Sequence, residues 1–296
     1  MNKIKDSFLI QDLEALSGIK AHTIRIWEKR YAILSPTRLN RNIRKYSLSD
    51  LQKLLNISVL YTHKFKISKL SKLSLEELQE TAREVALASV ESNYHVNSLI
   101  VAMYSFDTLT FEKVYSELIA KMKFEDLFAQ VYIPLLNHIG VLWQTNAIQP
   151  AHEHFISNLI VAKVTLHTAS IELSILDKEQ TYVLFLPEGE MHSLGLLYLN
   201  YCLRVRGKHT VFLGGGIPLS NLEVLSANFS NIHWICSFVI DRAQEEKELF
   251  LNEFAEFLKR TESEAMVIGA IWEGVEIPQS SSVKMYSSYS KLPFFS

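Results

Sequence analysis

Cysteine is scarce in this chain, long apolar runs are missing, and over one stretch acidic residues nearly vanish. Cys202 and Cys236 are the only two cysteines. One falls in an expected helix and one in an expected strand, so no disulfide framework and no zinc-type spacing is implied, and a reducing cytoplasm is expected. No uninterrupted apolar segment approaches membrane-spanning length. The opening Met1-Asn2-Lys3-Ile4-Lys5-Asp6 leads into a polar-punctuated helix and not into an apolar signal core. Between Lys20 and Lys72, thirteen Lys and Arg stand against Glu28 and Asp50, a formal +11, which leaves −13 for the remainder of a chain of net charge −2. A separation of that size points to a basic domain that meets a polyanion.

The chain has 296 residues, 48% hydrophobic and 21% charged, enough for about two or more domains that each bury a core. Residues 8–17 predict a short amphipathic helix, stopped by Gly18. A tight turn at Ile19-Lys20-Ala21 leads to a second helix from His22 or Thr23 to Arg30, with Ile24 and Trp27 inward. That is helix-turn-helix spacing, which exposes His22, Thr23, Arg25, Lys29 and Arg30 to a major groove. Pro36 then disfavours helix. The basic and polar alternation through Arg38, Arg41, Arg44 and Tyr46 suits a β-ribbon laid on phosphates, and Ser49-Asp50-Leu51 starts another helix. Leu75-Glu76-Glu77-Leu78 begins a polar connector. Residues 95–175 predict about four helices, with Leu99, Met103, Leu109, Val114, Leu118, Ile119, Phe128, Val131, Leu135, Leu136, Ile139 and Leu142 at helical spacing. Asp107 and Thr110 are candidate caps, and Pro134 begins or kinks a helix.

From Tyr182 the pattern changes. Strands are expected at 181–186, 209–213, 233–239, 265–271 and 283–287, alternating with helices at 193–206, 219–228 and 244–260. This is a parallel sheet of flavodoxin-like order. The apolar run Tyr182 to Leu186 ends at Pro187-Glu188-Gly189, and Glu190-x-His192-x-x-Gly195 follows at the carboxyl end of the first strand, where such sheets bind ligands. A carboxylate two residues before a histidine can orient the ring and raise its basicity as a metal ligand. Leu213-Gly214-Gly215-Gly216-Ile217-Pro218 is expected to leave the second strand on the same edge.

Thr23-Ile24-Arg25-x-Trp27-Glu28-x-Arg30-Tyr31, Pro36-x-Arg38 and Arg44-x-Tyr46-Ser47 resemble the winged helix-turn-helix of the MerR family, over residues 7–75. Glu190-x-His192-x-x-Gly195 with Leu213-Gly214-x-x-x-Pro218 resembles the base-off/His-on cobalamin-binding fold. Trp143-x9-Glu153-His154 resembles the bundle motif of CarH/LitR-type photoreceptor repressors. The resemblance implies a multidomain α plus α/β protein. A MerR-type head spans 1–75, a connector and four-helix bundle that caps cobalamin span 76–177, and a flavodoxin-like (Rossmann-type) cobalamin-binding-like domain spans 178–296. It further implies that His192 is the lower cobalt ligand, supported by Glu190. Gly195, Gly214, Ser237 and Gly269 would line the cofactor site, Ser237 in the pocket for the nucleotide tail. Trp143, Glu153 and His154 would pack around the adenosyl group.

The chain departs from that pattern in several places. Gln144 stands where related repressors have a histidine that captures cobalt after photolysis, which leaves His152 or His154 as nearby imidazoles. Gly269-Ala270-Ile271-Trp272 replaces paired glycines, and little chain remains for a last helix. The expected function is a non-enzymatic, DNA-binding regulator that takes adenosylcobalamin, senses light, and represses an operator as a homo-oligomer (dimer or tetramer) with no membrane association. A second reading keeps the head and makes the C-terminal half a cofactor-free oligomerisation or partner-binding module. A third, a corrinoid methyl-transfer component, conflicts with the basic head and with the lack of room for a catalytic domain.

Overall fold

The computed structural model describes residues 7–40, 43–88, 93–144, 148–172, 177–272, 274–275 and 282–294. The chain divides into two compact units, 1–160 and 161–296.

In the first unit, β1 (Ser7–Phe8) precedes α1 (Ile10–Ser17) and α2 (Ala21–Tyr31). Gly18 ends α1 in the left-handed region at φ 70°, with its N–H on Glu14 O, the geometry that favours glycine after a helix. Ile24 and Trp27 are buried as the spacing requires. Strands β2 (Thr37–Asn40) and β3 (Ile43–Ser47) pair antiparallel, and β1 adds to β3 to give the order β1-β3-β2. Next comes α3 (Leu48–Thr62), capped by a reciprocal pair: Asp50 N–H donates to Ser47 Oγ, while Ser47 N–H and hydroxyl donate to Asp50 Oδ2. The other oxygen of Asp50 accepts Ser35 N–H at 2.9 Å. One buried carboxylate therefore ties the Ser35–Pro36 segment, the end of the wing and the start of α3. Asp50→Ala is expected to lower thermal stability by about 1–2 kcal/mol, the size of a lost cap, and an unchanged melting temperature would remove it from that role.

Helices α4 (Ile67–Leu70) and α5 (Leu75–Ala88) follow, then α6 (Asn93–Ser105), α7 (Thr108–Ile119), α8 (Phe124–Leu127), α9 (Ile133–Gln144) and α10 (Pro150–Ala169). Asp107 caps α7, accepting Thr110 N–H at 3.0 Å. Between α8 and α9, Phe128–Tyr132 is one π-helical turn, and Ile133 N–H reaches back to Phe128 O. The ladder shifts by one residue where Pro134 brings no donor. Leu99, Met103, Leu118, Val131, Leu135, Ile139 and Leu142 are buried, but Leu109 is 83% exposed and is not a core residue. It sits in the first turn of α7, where helical spacing does not fix which side is covered.

The second unit is a five-stranded parallel sheet in the order β5-β4-β6-β7-β8. Its elements are β4 (Asp177–Pro187), α11 (Leu194–Val205), β5 (Lys208–Ile217), a 3-10 turn running into α12 (Glu223–Ser226), β6 (Ile232–Ser237), α13 (Gln244–Arg260), β7 (Glu264–Ile268) and β8 (Val283–Tyr286). One face packs Phe185, Trp234, Phe254 and Phe257, and the other packs Leu184, Leu196, Leu199 and Ile235. The near-continuous apolar strands follow from burial on both faces. Both cysteines are buried free thiols.

Three expectations need correction here. Gly214, Gly215 and Gly216 lie inside β5 and not in a loop after it, with Gly214 opposite Phe185, Ile217 opposite Pro187 and an irregularity in the register between them. Strand β7 stops at Ile268, because Gly269 turns to φ 153°. The helix expected over 219–228 is a 3-10 turn plus four residues of α12. After β8 the chain makes a 3-10 turn, Tyr289–Lys291.

Candidate functional site

On the helix-turn-helix head, His22, Arg25, Lys29 and Arg30 are exposed along α2, and Thr23 is half-buried. The turn before α2 is closed by Glu14, which accepts Ala21 N–H at 3.1 Å and pairs with Lys20 Nζ at 3.3 Å. The Ala21 N–H and the Lys20 ammonium hold its carboxyl below the usual carboxylate range. Arg44 is not a free cation on the wing. Its Nε donates to Glu28 Oε1 at 3.0 Å, while the Tyr46 hydroxyl donates to Glu28 Oε2 at 3.0 Å. Tyr46, expected at the DNA face, has 0% exposure. Burial and then the Glu28 carboxylate push its phenol well above the ordinary range. Tyr46 thus docks the wing on α2 from inside. Arg41 and the Arg38 side chain lie outside the described residues.

At the carboxyl edge of the sheet, Glu190 is the centre of the loop between β4 and α11. Its side chain has 0% exposure. Oε1 accepts the N–H groups of Met191 and His192 at 2.9 Å, and Oε2 accepts those of Val239 and Ile240 at 2.8 and 3.0 Å. Burial alone pushes the carboxyl up, but the Val239, His192 and Ile240 amides and the His192 ring outweigh it and pull it down to about 2. Glu190 is therefore an ionised, acceptor-only group. His192 Nδ1, 2.7 Å away, must be the donor. In the neutral imidazole this places the lone pair on Nε2 of a ring that is 53% exposed.

Three residues whose N–H groups Glu190 holds carry apolar side chains. Met191 is 84% exposed, with Val239 and Ile240 also open to solvent. Among the described residues no group of three or more His, Cys, Asp or Glu is placed to hold a metal. A bare ion has no ligand shell here. The donor set fits a metal already held in a macrocycle and short of one axial ligand, and the exposed apolar side chains fit the face of such a ring.

The residues assigned to a nucleotide tail fit less well. Gly195 is covered by the ring of Tyr289, and a Cβ on Gly269 would lie 2.5 Å from Phe238 O. Ser237 is buried in β6, and its hydroxyl faces that of Tyr289 without a well-formed hydrogen bond. Gly214 has φ 79° and open space beside it.

In the bundle, Glu153 accepts from Ser157 Oγ at 2.7 Å and pairs with His154 Nδ1 at 2.9 Å, and His154 is exposed. His152 is buried. Its Nδ1 accepts Gln149 N–H at the start of α10, and its ring stacks on Phe106 at 4.9 Å. The side chains of Trp143 and Gln144 lie outside the described residues. Glu14, Glu28 and Tyr289 were missed by sequence reasoning. The available signal for Glu28 was its isolation: with Asp50 it is one of two acids in the basic stretch, and each is in structural use.

Residues 8–77 match the family described as MerR HTH family regulatory protein, and residues 96–166 match the one described as B12 binding domain. The HTH-type transcriptional repressor CarH of Myxococcus xanthus is 28% identical over 257 residues, 83% of this chain and 83% of its own. The HTH-type transcriptional repressor CarA of the same organism is 26% identical over 263 residues, 88% of this chain and 86% of its own. Among solved structures, the monomethylamine corrinoid protein of Methanosarcina barkeri aligns with 67% of this chain and 94% of its own at 13% identity, with a TM-score of 0.49. Among the described residues no helix is long and apolar enough to cross a membrane. The chain is therefore homologous to the CarH and CarA repressors and joins a MerR-type helix-turn-helix head to a B12-binding domain.

Proposed function

We propose that this protein is a cytoplasmic transcriptional repressor whose grip on operator DNA answers to adenosylcobalamin and, through it, to light. The observation that carries this reading is His192, oriented by a buried, ionised Glu190 at the carboxyl end of the first strand of the sheet. His192 Nε2 would be the donor that this chain offers to the cobalt. Trp143, Glu153 and His154 of the bundle are assigned to the upper, adenosyl side. When bound, the cofactor supplies a cobalt–carbon bond that light breaks. The protein's own part is ligation, shielding and a change of assembly. The working division is 1–75 for DNA, 76–177 for connector and cap, and 178–296 for the cofactor.

His22, Thr23, Arg25, Lys29 and Arg30 reach into the groove and to phosphates, with Arg38 and Arg41 on the wing. Arg44, held by Glu28, acts by placing that wing. A homo-oligomer, dimer or tetramer, would present several wings at once. The cofactor can shift such an assembly only by binding one state better than the other. In darkness, adenosylcobalamin is expected to tighten operator binding by the full chain, and illumination to reverse the gain. Operator affinity that ignores both would contradict the proposal. Arg25→Ala should lower the slope of log affinity against log salt by about 0.9, the effect of one phosphate contact, and an unaltered slope would take Arg25 off the DNA.

The covered Gly195 favours a second reading, in which the C-terminal domain keeps the fold for partner binding without a cofactor. A full chain that stays colourless after mixing with adenosylcobalamin, yet still binds DNA, would select it.

A further inference from the structure

The proposed corrinoid site puts a ligand ring over His192, and the structure fills the place left for the ligand's tail. A Cβ added at Gly195 would lie 2.5 Å from Tyr289 Cε2, 2.7 Å from Cζ and 2.8 Å from the hydroxyl oxygen. The phenol ring is thus seated directly on the bare backbone at the start of α11. The same ring's surroundings include Ser237, Cys236 and Glu190, and burial foremost drives the phenol far above its ordinary range. The hydroxyls of Ser237 and Tyr289 are close enough to interact, yet both are buried and neither makes a hydrogen bond of sound geometry. Two buried hydroxyls left in this way are rare in a native core, and they mark a polar slot occupied by a side chain that does not fully satisfy it. At Gly269 an added Cβ would meet the Phe238 carbonyl at 2.5 Å, and the cavity beside that glycine is lined by Trp272, Met285, Tyr286, Ser287 and Lys291, apart from the Gly195 backbone that Tyr289 covers.

Tyr289 is also held in place from both sides. Before it, Gly269 N–H donates to Tyr286 O at the end of β8. After it, Leu292 is buried in the α11 face of the sheet and Phe294 packs edge-on to Tyr182 at 5.5 Å. Residues 287–291, which include the 3-10 turn Tyr289–Lys291, lie between these anchors.

We propose, on the corrinoid reading of the site, that Tyr289 is a specificity-determining plug: it fills the slot between Gly195 and Ser237, so the domain takes a corrinoid by its ring, with the nucleotide tail left outside unless the turn withdraws. The slot must open before a tail can enter it. An open state populated at only a few per cent lowers the apparent affinity for a tail-inserted ligand by that fraction.

The test compares adenosylcobalamin with adenosylcobinamide, which keeps the ring and upper group and lacks the nucleotide tail. Both are titrated in darkness into the full chain, followed by the corrinoid absorption spectrum and by calorimetry. The wild type is expected to bind cobinamide at least as tightly as cobalamin. Tyr289→Ala is expected to gain about tenfold in cobalamin affinity while cobinamide affinity moves by less than about threefold, and Tyr289→Phe, which keeps the ring, is expected to behave as wild type. A wild type that prefers cobalamin by tenfold or more, with no gain in Tyr289→Ala, would overturn the plug and leave the corrinoid site standing. Binding of neither corrinoid by either chain would overturn the corrinoid reading and the plug with it. If Tyr289→Ala does not fold, the wild-type ratio alone decides.

Discussion

Glu190→Ala is expected to destabilise the C-terminal unit by roughly 3 kcal/mol, the largest effect of any single polar substitution considered. The carboxylate gathers the N–H groups of Met191, His192, Val239 and Ile240 as well as the His192 ring. Removing it strands backbone donors from two loops, which are otherwise joined by the Arg242 guanidinium on the Glu188 carbonyl. The same group gives a pH signature. Its folded value of about 2 lies below the ordinary 4.5. The ionised form therefore contributes stability that is fully present above about pH 4.5 and is lost as pH falls toward 2, on the order of 3 kcal/mol in all. Urea unfolding of the full chain between pH 5 and 2 measures it. Wild type should weaken through that window with an added slope that Glu190→Gln lacks. Parallel curves for the two chains would mean that Glu190 is not ionised in the fold, and the argument for the His192 tautomer would go with it.

Glu28→Ala is the second large effect. Two opposed terms decide its sign. Deleting an acid from a basic surface strengthens attraction to any DNA, by about one phosphate's worth of salt dependence. Against that, Arg44 loses its anchor and the buried Tyr46 hydroxyl loses its acceptor, at a cost of about 2–3 kcal/mol in the head. A displaced wing cannot keep the register that phosphate contacts set. Operator affinity should therefore fall about tenfold relative to random DNA of the same length, while affinity for random DNA holds or rises. Tyr46→Phe, which removes only the hydroxyl, should cost about 1 kcal/mol. A Glu28→Ala protein that binds operator and random DNA more tightly in equal measure would reduce Glu28 to a counter-charge.

These residues also show how far the amino-acid sequence carries. The strand, loop and helix around His192 were legible because an apolar run, a Pro/Gly break and a helical stripe follow one another within a short segment. The two helices of the head and the wing were legible for the same local reason. What stayed hidden depends on contacts between distant segments. Tyr46 reads as one more polar aromatic in a basic ribbon, and only the β1-β3-β2 sheet turns it inward. Gly214 to Gly216 read as a loop, yet the pairing of Gly214 with Phe185 and of Ile217 with Pro187 keeps them in β5. Gly195 was expected to line the cofactor site, and the residue that covers it, Tyr289, lies in a short 3-10 turn that no periodicity announces. The crowding contact on Gly195 comes from Tyr289.

The measurement that tests the central claim most directly is the absorption spectrum of the purified full chain, mixed in darkness with adenosylcobalamin, desalted, and compared with His192→Ala. The account predicts that wild type retains a corrinoid with an imidazole-ligated spectrum that changes on illumination, and that His192→Ala loses that ligation while still binding DNA. A corrinoid spectrum identical in both chains would contradict the assignment of His192, and colourless wild-type protein would contradict corrinoid sensing altogether.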